Sequence, residues 1–217
     1  FLDYQERMDD STRWTDRIVS SSGDWSGNIY DFYFRVYNKL TQDVKVPFKL
    51  EGGDRIDDTP VHKARREALA NCLINADYYG RQGVVVIKDE KGVSFSNPGN
   101  FRIDIEVAKS GGVSDPRNSA LIKMFNLIDI GERAGSGIPS ILSAWQKEGW
   151  GAPVIEESFD PDRIKVTLNF KKGSDNSKKV AIKSSDNSKK VAIKSSDKIG
   201  VMQRKAVLEY LEDNKFI

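Results

Sequence analysis

Glu67, Asn71 and Asn75 stand at i, i+4 and i+8 in the segment 65–80, RREALANCLINADYYG. That spacing sets one carboxylate and two carboxamides on a single face of an α-helix. All remaining side chains from 68 to 76 are apolar, so the helix is expected to be buried on several sides. A polar group buried without partners costs roughly 1–3 kcal/mol, so something polar must face the stripe. A side-chain network inside the core would satisfy it. So would a cavity in which these groups hold a ligand and its water.

A second constellation is Gly135-Ser136-Gly137-Ile138, which opens an expected helix at 139–148. Glycines before a helix N-terminus leave amide N–H groups pointing at whatever approaches, and the helix dipole favours an anion there. This is phosphate-binding geometry, although glycines serve plain turns as well. A third is Asn97-Pro98-Gly99-Asn100, where proline ends a ladder and glycine permits close backbone approach.

The elements that must position these groups follow from periodicity. Residues 25–40 read as a helix whose aromatic face, Tyr30, Phe32, Tyr33, Phe34 and Tyr37, is expected to join the core. Residues 44–50 alternate like a strand. Asp57-Asp58-Thr59-Pro60 predicts a helix start, with Thr59 as the cap and Pro60 in the first helical position. A hairpin is expected over 83–96 with its turn at 89–92, and another over 154–158 and 164–170. The stretch from 114 is less regular until the glycines. Consecutive hairpins favour antiparallel pairing, so the expected fold is a two-layer α/β sandwich: a mixed, mainly antiparallel sheet with helices on one face. The ligand cleft would lie between the Glu67 helix, the glycine-opened helix and residues 114–132.

Composition bounds the rest. The chain has 217 residues, 30% of them charged and 38% hydrophobic, enough for one good core and appendages. Cys72 is the single cysteine, which excludes a disulfide framework and points to a reducing, cytoplasmic setting. No run of about 18 apolar residues and no signal peptide occur, so a soluble protein is expected. The first residues, FLDYQERM, look strand-like, and the chain reads as a fragment of a longer protein. The net charge of +2 is uneven: 171–198 carries nine lysines and three aspartates, a balance of +6, so the remainder sums to −4. That stretch contains SDNSKKVAIKS twice in tandem, and it is expected to be a flexible basic linker because one short apolar cluster per copy buries too little to offset ordering. Its lysines could touch a nucleic-acid backbone. Residues 199–217 place Val201, Val207, Leu208 and Leu211 on one helical face. This is either the first helix of a truncated winged helix or an ordinary terminal helix. The organisation read from these shifts is an N-terminal extension from a preceding domain at 1–25, a main domain at 26–170, the linker at 171–198 and the helix at 199–217.

The order of the parts resembles the Bergerat ATP-binding (GHKL ATPase-like) fold of gyrase, MutL and sensor histidine kinases. REALANCLINADYYG, SNPGNFR, DPRNSALIKMF and GERAGSGI, in that order, resemble the C-terminal ATPase-like domain of RecG-related helicases and transcriptional regulators, in which a Schlafen-type AlbA domain precedes and a winged helix follows. The resemblance covers roughly residues 1–170.

What the resemblance implies is ATP with Mg²⁺. Glu67 matches the acid that polarises the attacking water in active relatives, and Asn71 matches the amide that ligates Mg²⁺. Gly99 matches the glycine under adenine, and Gly135, Ser136 and Gly137 the turn that cradles phosphates. Asn97 takes the place of the aspartate that accepts from the adenine amino group. Asn75 stands where relatives often carry histidine. Asn75, Arg117, Glu132 and Arg133 belong to family words whose roles the resemblance leaves open; Arg117 could meet a phosphate oxygen or close a salt bridge. No Gly-x-x-x-x-Gly-Lys-Ser/Thr loop is present, so unwinding is not expected of these residues. Three functions follow: a nucleotide-binding regulatory module coupled to flanking DNA-binding domains, a true ATPase with Glu67 as base, or a scaffold for homodimerisation or partner binding whose stripe is satisfied internally.

Overall fold

Thr59 and Pro60 start the helix that carries the polar stripe. The Thr59 hydroxyl accepts from the His62 backbone N–H, and the His62 ring accepts from the Thr59 backbone N–H. This reciprocal cap satisfies two donors, while Pro60 stands where no N–H is needed. The computed structural model describes residues 1–9, 11–42, 44, 50–51, 54–55, 59–128, 130–131 and 135–170. Most of the strand expected at 44–50, residues Glu132 and Arg133, the basic linker and the helix from 199 lie outside them.

In chain order the elements are β1 (Leu2–Arg7), β2 (Asp16–Val19), α1 (Ile29–Thr41), β3 (Leu50–Glu51), β4 (Asp54–Arg55), α2 (Pro60–Ile74), β5 (Val84–Asp89), β6 (Gly92–Pro98), α3 (Ile105–Ser110), α4 (Ser119–Asn126), α5 (Gly137–Lys147), β7 (Val154–Phe159) and β8 (Asp162–Asn169). Six strands form one sheet in the order β2-β1-β5-β6-β8-β7, and β3 pairs with β4 apart from it. Every neighbouring pair is antiparallel except β1 with β5, which run parallel from Leu2 opposite Val84 to Arg7 opposite Asp89. Residues 1–25, set apart in the sequence as an extension, thus supply two strands of this sheet, one of them between β2 and β5.

Alternation along the strands sorts the two faces. Tyr4, Val86, Phe95 and Val166 fall in register across β1, β5, β6 and β8, and together with Phe32, Val36, Leu69, Leu73, Ile141 and Trp145 from the helices they make one core. The other face is polar: Arg17 forks onto Asp3 at 2.9 and 2.8 Å, and Arg163 reaches Gln82, Ser96 and the Gly83 carbonyl. This is the expected sandwich of a mixed, mainly antiparallel sheet covered by helices on one face. At one edge of the core the buried Lys88 ammonium donates to the Lys39 carbonyl at 2.9 Å and lies 3.5 Å from Glu6, which also accepts from the Tyr4 hydroxyl. A buried charge answered in this way avoids the penalty of an unpaired one. The Trp145 indole donates to the Asn169 carbonyl at 2.8 Å, tying α5 to the end of β8.

Three local outcomes differ from the sequence reading. The α1 aromatics divide: Phe32 and Tyr33 are fully buried, whereas Tyr30 is 54% exposed and Phe34 lies at the surface, because the stripe is wider than the face that meets α2 and the sheet. Helix α2 ends at Ile74, with Asn75 as its C-cap at φ −98°, ψ 0°, so the stripe's last amide leaves the helix. The stretch after β6 holds two short helices that periodicity did not disclose. Asp104 caps α3 by accepting from the Glu106 and Val107 N–H groups, and six residues are too few to show a 3.6 period. Among the described residues no helix is long and apolar enough to cross a membrane.

Candidate functional site

The polar stripe faces α5. Asn71 Nδ2 donates to Glu67 Oε1 at 2.9 Å across one turn of α2, and Gly137, the first residue of α5, presses against this pair. A β-carbon on Gly137 would lie 2.2 Å from Glu67 Oε1 and 2.8 Å from Asn71 Nδ2, so only glycine fits between the helices. Glu67, although only 7% exposed, abuts the partly positive N-terminal end of α5, a favourable place for a carboxylate. With its amino group on Glu67, the Asn71 amide has its Oδ1 turned the other way.

The C-terminal end of α2 is knitted to two loops. A helix leaves its last carbonyls without intrahelical partners, and here the segment around 117 and 118 supplies them. Asn118 donates from its backbone and Nδ2 to the Ile74 carbonyl and from Nδ2 to that of Ala76, and the Tyr78 hydroxyl donates to the Leu73 carbonyl at 2.8 Å. Arg117 donates through its backbone N–H to Asn75 Oδ1, through Nε to the Asn75 carbonyl at 3.2 Å, and through Nη2 to the carbonyl and Oδ1 of Asn100. Its guanidinium covers Gly99, where a β-carbon would come within 3.1 Å of it, and Gly99 has φ +100°. Backbone conformation and crowding both call for glycine there. Arg117 therefore binds the loop after β6 to α2, and the salt bridge or phosphate contact left open by the sequence is in this structure a set of bonds to carbonyls and an amide.

A cavity of about 130 Å³ opens between α2, α5, the sheet and the 100–116 segment. One water needs about 10–15 Å³ of such volume, so the space takes roughly ten water molecules. Six of the expected site residues line it: Glu67, Asn71, Asn75, Asn97, Gly135 and Gly137. Gly99, Ser136 and Arg117 do not line it. The floor is apolar, from Phe95, Ile164 and Val166 of the sheet, and the far wall is Phe101, Ile103, Ala108 and Val113. Such a mixture of apolar walls and a few convergent polar groups is the usual make-up of a small-molecule site. The sequence reading missed that far wall. Its one signal was the alternation of Phe101, Ile103 and Ile105 after the proline turn.

Asn97, 4% exposed, donates from Nδ2 to the Asn75 carbonyl at 3.4 Å and the Pro98 carbonyl at 3.3 Å. Its Oδ1 has no hydrogen-bond partner among the described residues, on a side chain that lines the cavity. At the opposite end, Ser136 precedes α5 without a side-chain capping bond. Gly135 has φ +73°, and a β-carbon there would lie 2.2 Å from the Val113 carbonyl oxygen, so the glycine turn and the 113 strand of loop touch backbone to backbone. Cys72 also lines the cavity, and burial pushes its thiol up to about 12. It is protonated and inert at neutral pH.

These groups suit a nucleotide with Mg²⁺. An acceptor aimed into an apolar pocket matches an amino heterocycle. A glycine-opened helix matches an anion. The Asn71 Oδ1 offers one hard oxygen to a Mg²⁺ whose remaining ligands would be phosphate oxygens and water. No three His, Cys, Asp or Glu side chains gather as a metal cage among the described residues.

The chain is similar in fold to a solved structure and, over part of its length, to a family model. The crystal structure of the DIP2311 protein from Corynebacterium diphtheriae superposes with a TM-score of 0.58 at 21% sequence identity, covering 77% of this chain and 34% of that one. The likeness is one of fold, and this chain spans about a third of the length of that relative. No curated protein matches the chain. A family model described as "Putative ATP-dependent DNA helicase recG C-terminal" matches residues 80–168, which include Asn97, Gly99, Arg117 and the glycine turn but not α2. The resemblance read from the sequence words is borne out there: residues 80–168 match this family model and fit a RecG-related C-terminal ATPase-like domain.

Proposed function

We propose that this domain binds ATP with Mg²⁺ and acts as a regulatory module, its nucleotide-dependent closure altering the arrangement of DNA-binding domains that flank it in the parent protein. One observation carries the reading: a single cavity collects two carboxylates, Glu67 and Asp115, four carboxamides and a glycine-opened helix, with the Asn97 acceptor and the phosphate-type turn both on its wall. In this reading Asn97 Oδ1 accepts from the adenine amino group, Gly135 and Gly137 with Ser136 between them admit the phosphates, and Asn71 Oδ1 holds the ion. When bound, Mg²⁺ would neutralise phosphate charge. Glu67, beside the N-terminus of α5, would orient a water placed near it.

The experiment is a thermal-shift titration of the whole chain with ATP, with and without Mg²⁺. A ligand at a hundred times its Kd stabilises the native state by about 2.7 kcal/mol, a shift of several degrees. Asn71→Ala is expected to remove the Mg²⁺-dependent part. No shift at millimolar ATP in the wild type defeats the reading.

A second reading has its own support. Asn71 and Asn75 both make bonds to protein groups, so part of the stripe is satisfied internally, as in a scaffold for a second copy or a partner. Concentration-dependent mass in solution without any nucleotide response would favour it.

A further inference from the structure

The Asn75 carbonyl is shared. It accepts from Arg117 Nε at 3.2 Å and from Asn97 Nδ2 at 3.4 Å, so one oxygen joins a residue that does not line the cavity to a residue on its wall. The Asn97 amino group also meets the Pro98 carbonyl, itself held by the Asp77 N–H at 2.9 Å. Both neighbours at this end of the Asn97 amide are carbonyl oxygens, which only accept, so the amide has one allowed orientation: nitrogen to the carbonyls, oxygen to the cavity. Turning it over would set oxygen against oxygen twice and present a donor to the cavity.

We infer that Arg117 is a positioning residue that sets the purine preference of the cavity by fixing the Asn97 amide through the Asn75 carbonyl. The inference rests on the nucleotide reading above. An amide held with its oxygen outward accepts a bond from a 6-amino purine and meets a 6-oxo purine oxygen to oxygen. Arg117 keeps that amide in place from outside the lining, because the same guanidinium that donates to Asn75 also holds both oxygens of Asn100 and lies over Gly99. It thereby sets the spacing between the end of α2 and the turn that follows β6.

Affinities of the whole chain for ATP and for inosine triphosphate, both with Mg²⁺, test this in the wild type, Arg117→Ala and Arg117→Lys. The two nucleotides carry the same triphosphate and differ at position 6 as amino against oxo. The wild type is expected to favour ATP by about tenfold or more, the size of one well-made hydrogen bond replaced by a mismatch. In both variants the ratio is expected to fall to about threefold or less, since a lysine ammonium cannot span Asn75 and Asn100 as the guanidinium fork does. A ratio unchanged in both variants overturns the inference. So does an equal loss for both nucleotides in Arg117→Ala that Arg117→Lys restores, which would assign Arg117 to the phosphates. A wild type that binds neither nucleotide defeats the nucleotide reading itself, and is distinct from either result. The exchange rate of the Asn97 side-chain amide protons gives a ligand-free check: slow in the wild type and fast in Arg117→Ala is expected, and fast exchange in the wild type also overturns the inference.

Discussion

Gly137 stands so close to Glu67 that a β-carbon on the glycine would lie 2.2 Å from the carboxylate oxygen Oε1. The contact joins the first residue of α5 to the middle of α2, two helices whose shared face borders the cavity. Their separation is set by the absence of one methyl group.

Gly137→Ala is therefore expected to lower stability by about 1–3 kcal/mol, the usual cost of overpacking, with Glu67 or the helix giving way. In urea denaturation, Glu67→Ala combined with Gly137→Ala should lose less than the sum of the single changes, because the first removes the atom the second collides with. Strict additivity would mean that the two residues do not touch.

Gly135 and Gly112 make a matched pair. Both have positive φ, +73° and +87°, but a β-carbon on Gly135 meets the Val113 backbone whereas one on Gly112 meets nothing within 4 Å. Gly112→Ala should cost about 1 kcal/mol for the backbone conformation alone, and Gly135→Ala roughly 2 kcal/mol more, since a backbone cannot rotate away. Equal costs in a chemical-denaturation comparison would remove the close approach from the account.

Alkaline stability should report on Cys72. Burial raises its thiol from 9.0 to about 12, so the folded state keeps a proton that the unfolded chain releases. The stability this brings is complete below pH 9 and is lost as pH rises towards 12, by up to about 1.4 kcal/mol per pH unit. Burial also raises the Tyr78 phenol, which adds loss at higher pH. Cys72→Ala should flatten the fall that begins near pH 9, and an unaltered pH profile in that variant would refute the assignment.

The sequence disclosed those parts of the molecule whose signals are local. Thr59 and Pro60 marked the start of α2 because capping is read within four residues, and the connections at 89–92 and 159–163 marked two hairpins, the second tighter in the structure, between Phe159 and Asp162. The likeness of SNPGNFR and GERAGSGI to family words singled out Asn97, Gly135 and Gly137, which the fold brings to one cavity. Parallel pairing of β1 with β5 was hidden, since it depends on residues about eighty positions apart and no turn announces it. The work of Arg117 was hidden for the same reason: its partners Asn75 and Asn100 lie 42 and 17 residues away, and an arginine in isolation suggests an anion before it suggests carbonyls.

The bond from the Trp145 indole to the Asn169 carbonyl gives α5 a mechanical character. One end of this helix opens at the glycine turn, and about 12 Å along it, at 1.5 Å per residue, the indole grips the last residue of β8. A rod fastened in that way cannot tilt at one end alone. In the proposed nucleotide reading, a displacement imposed at Gly137 would be delivered as a pull on the strand terminus at Asn169.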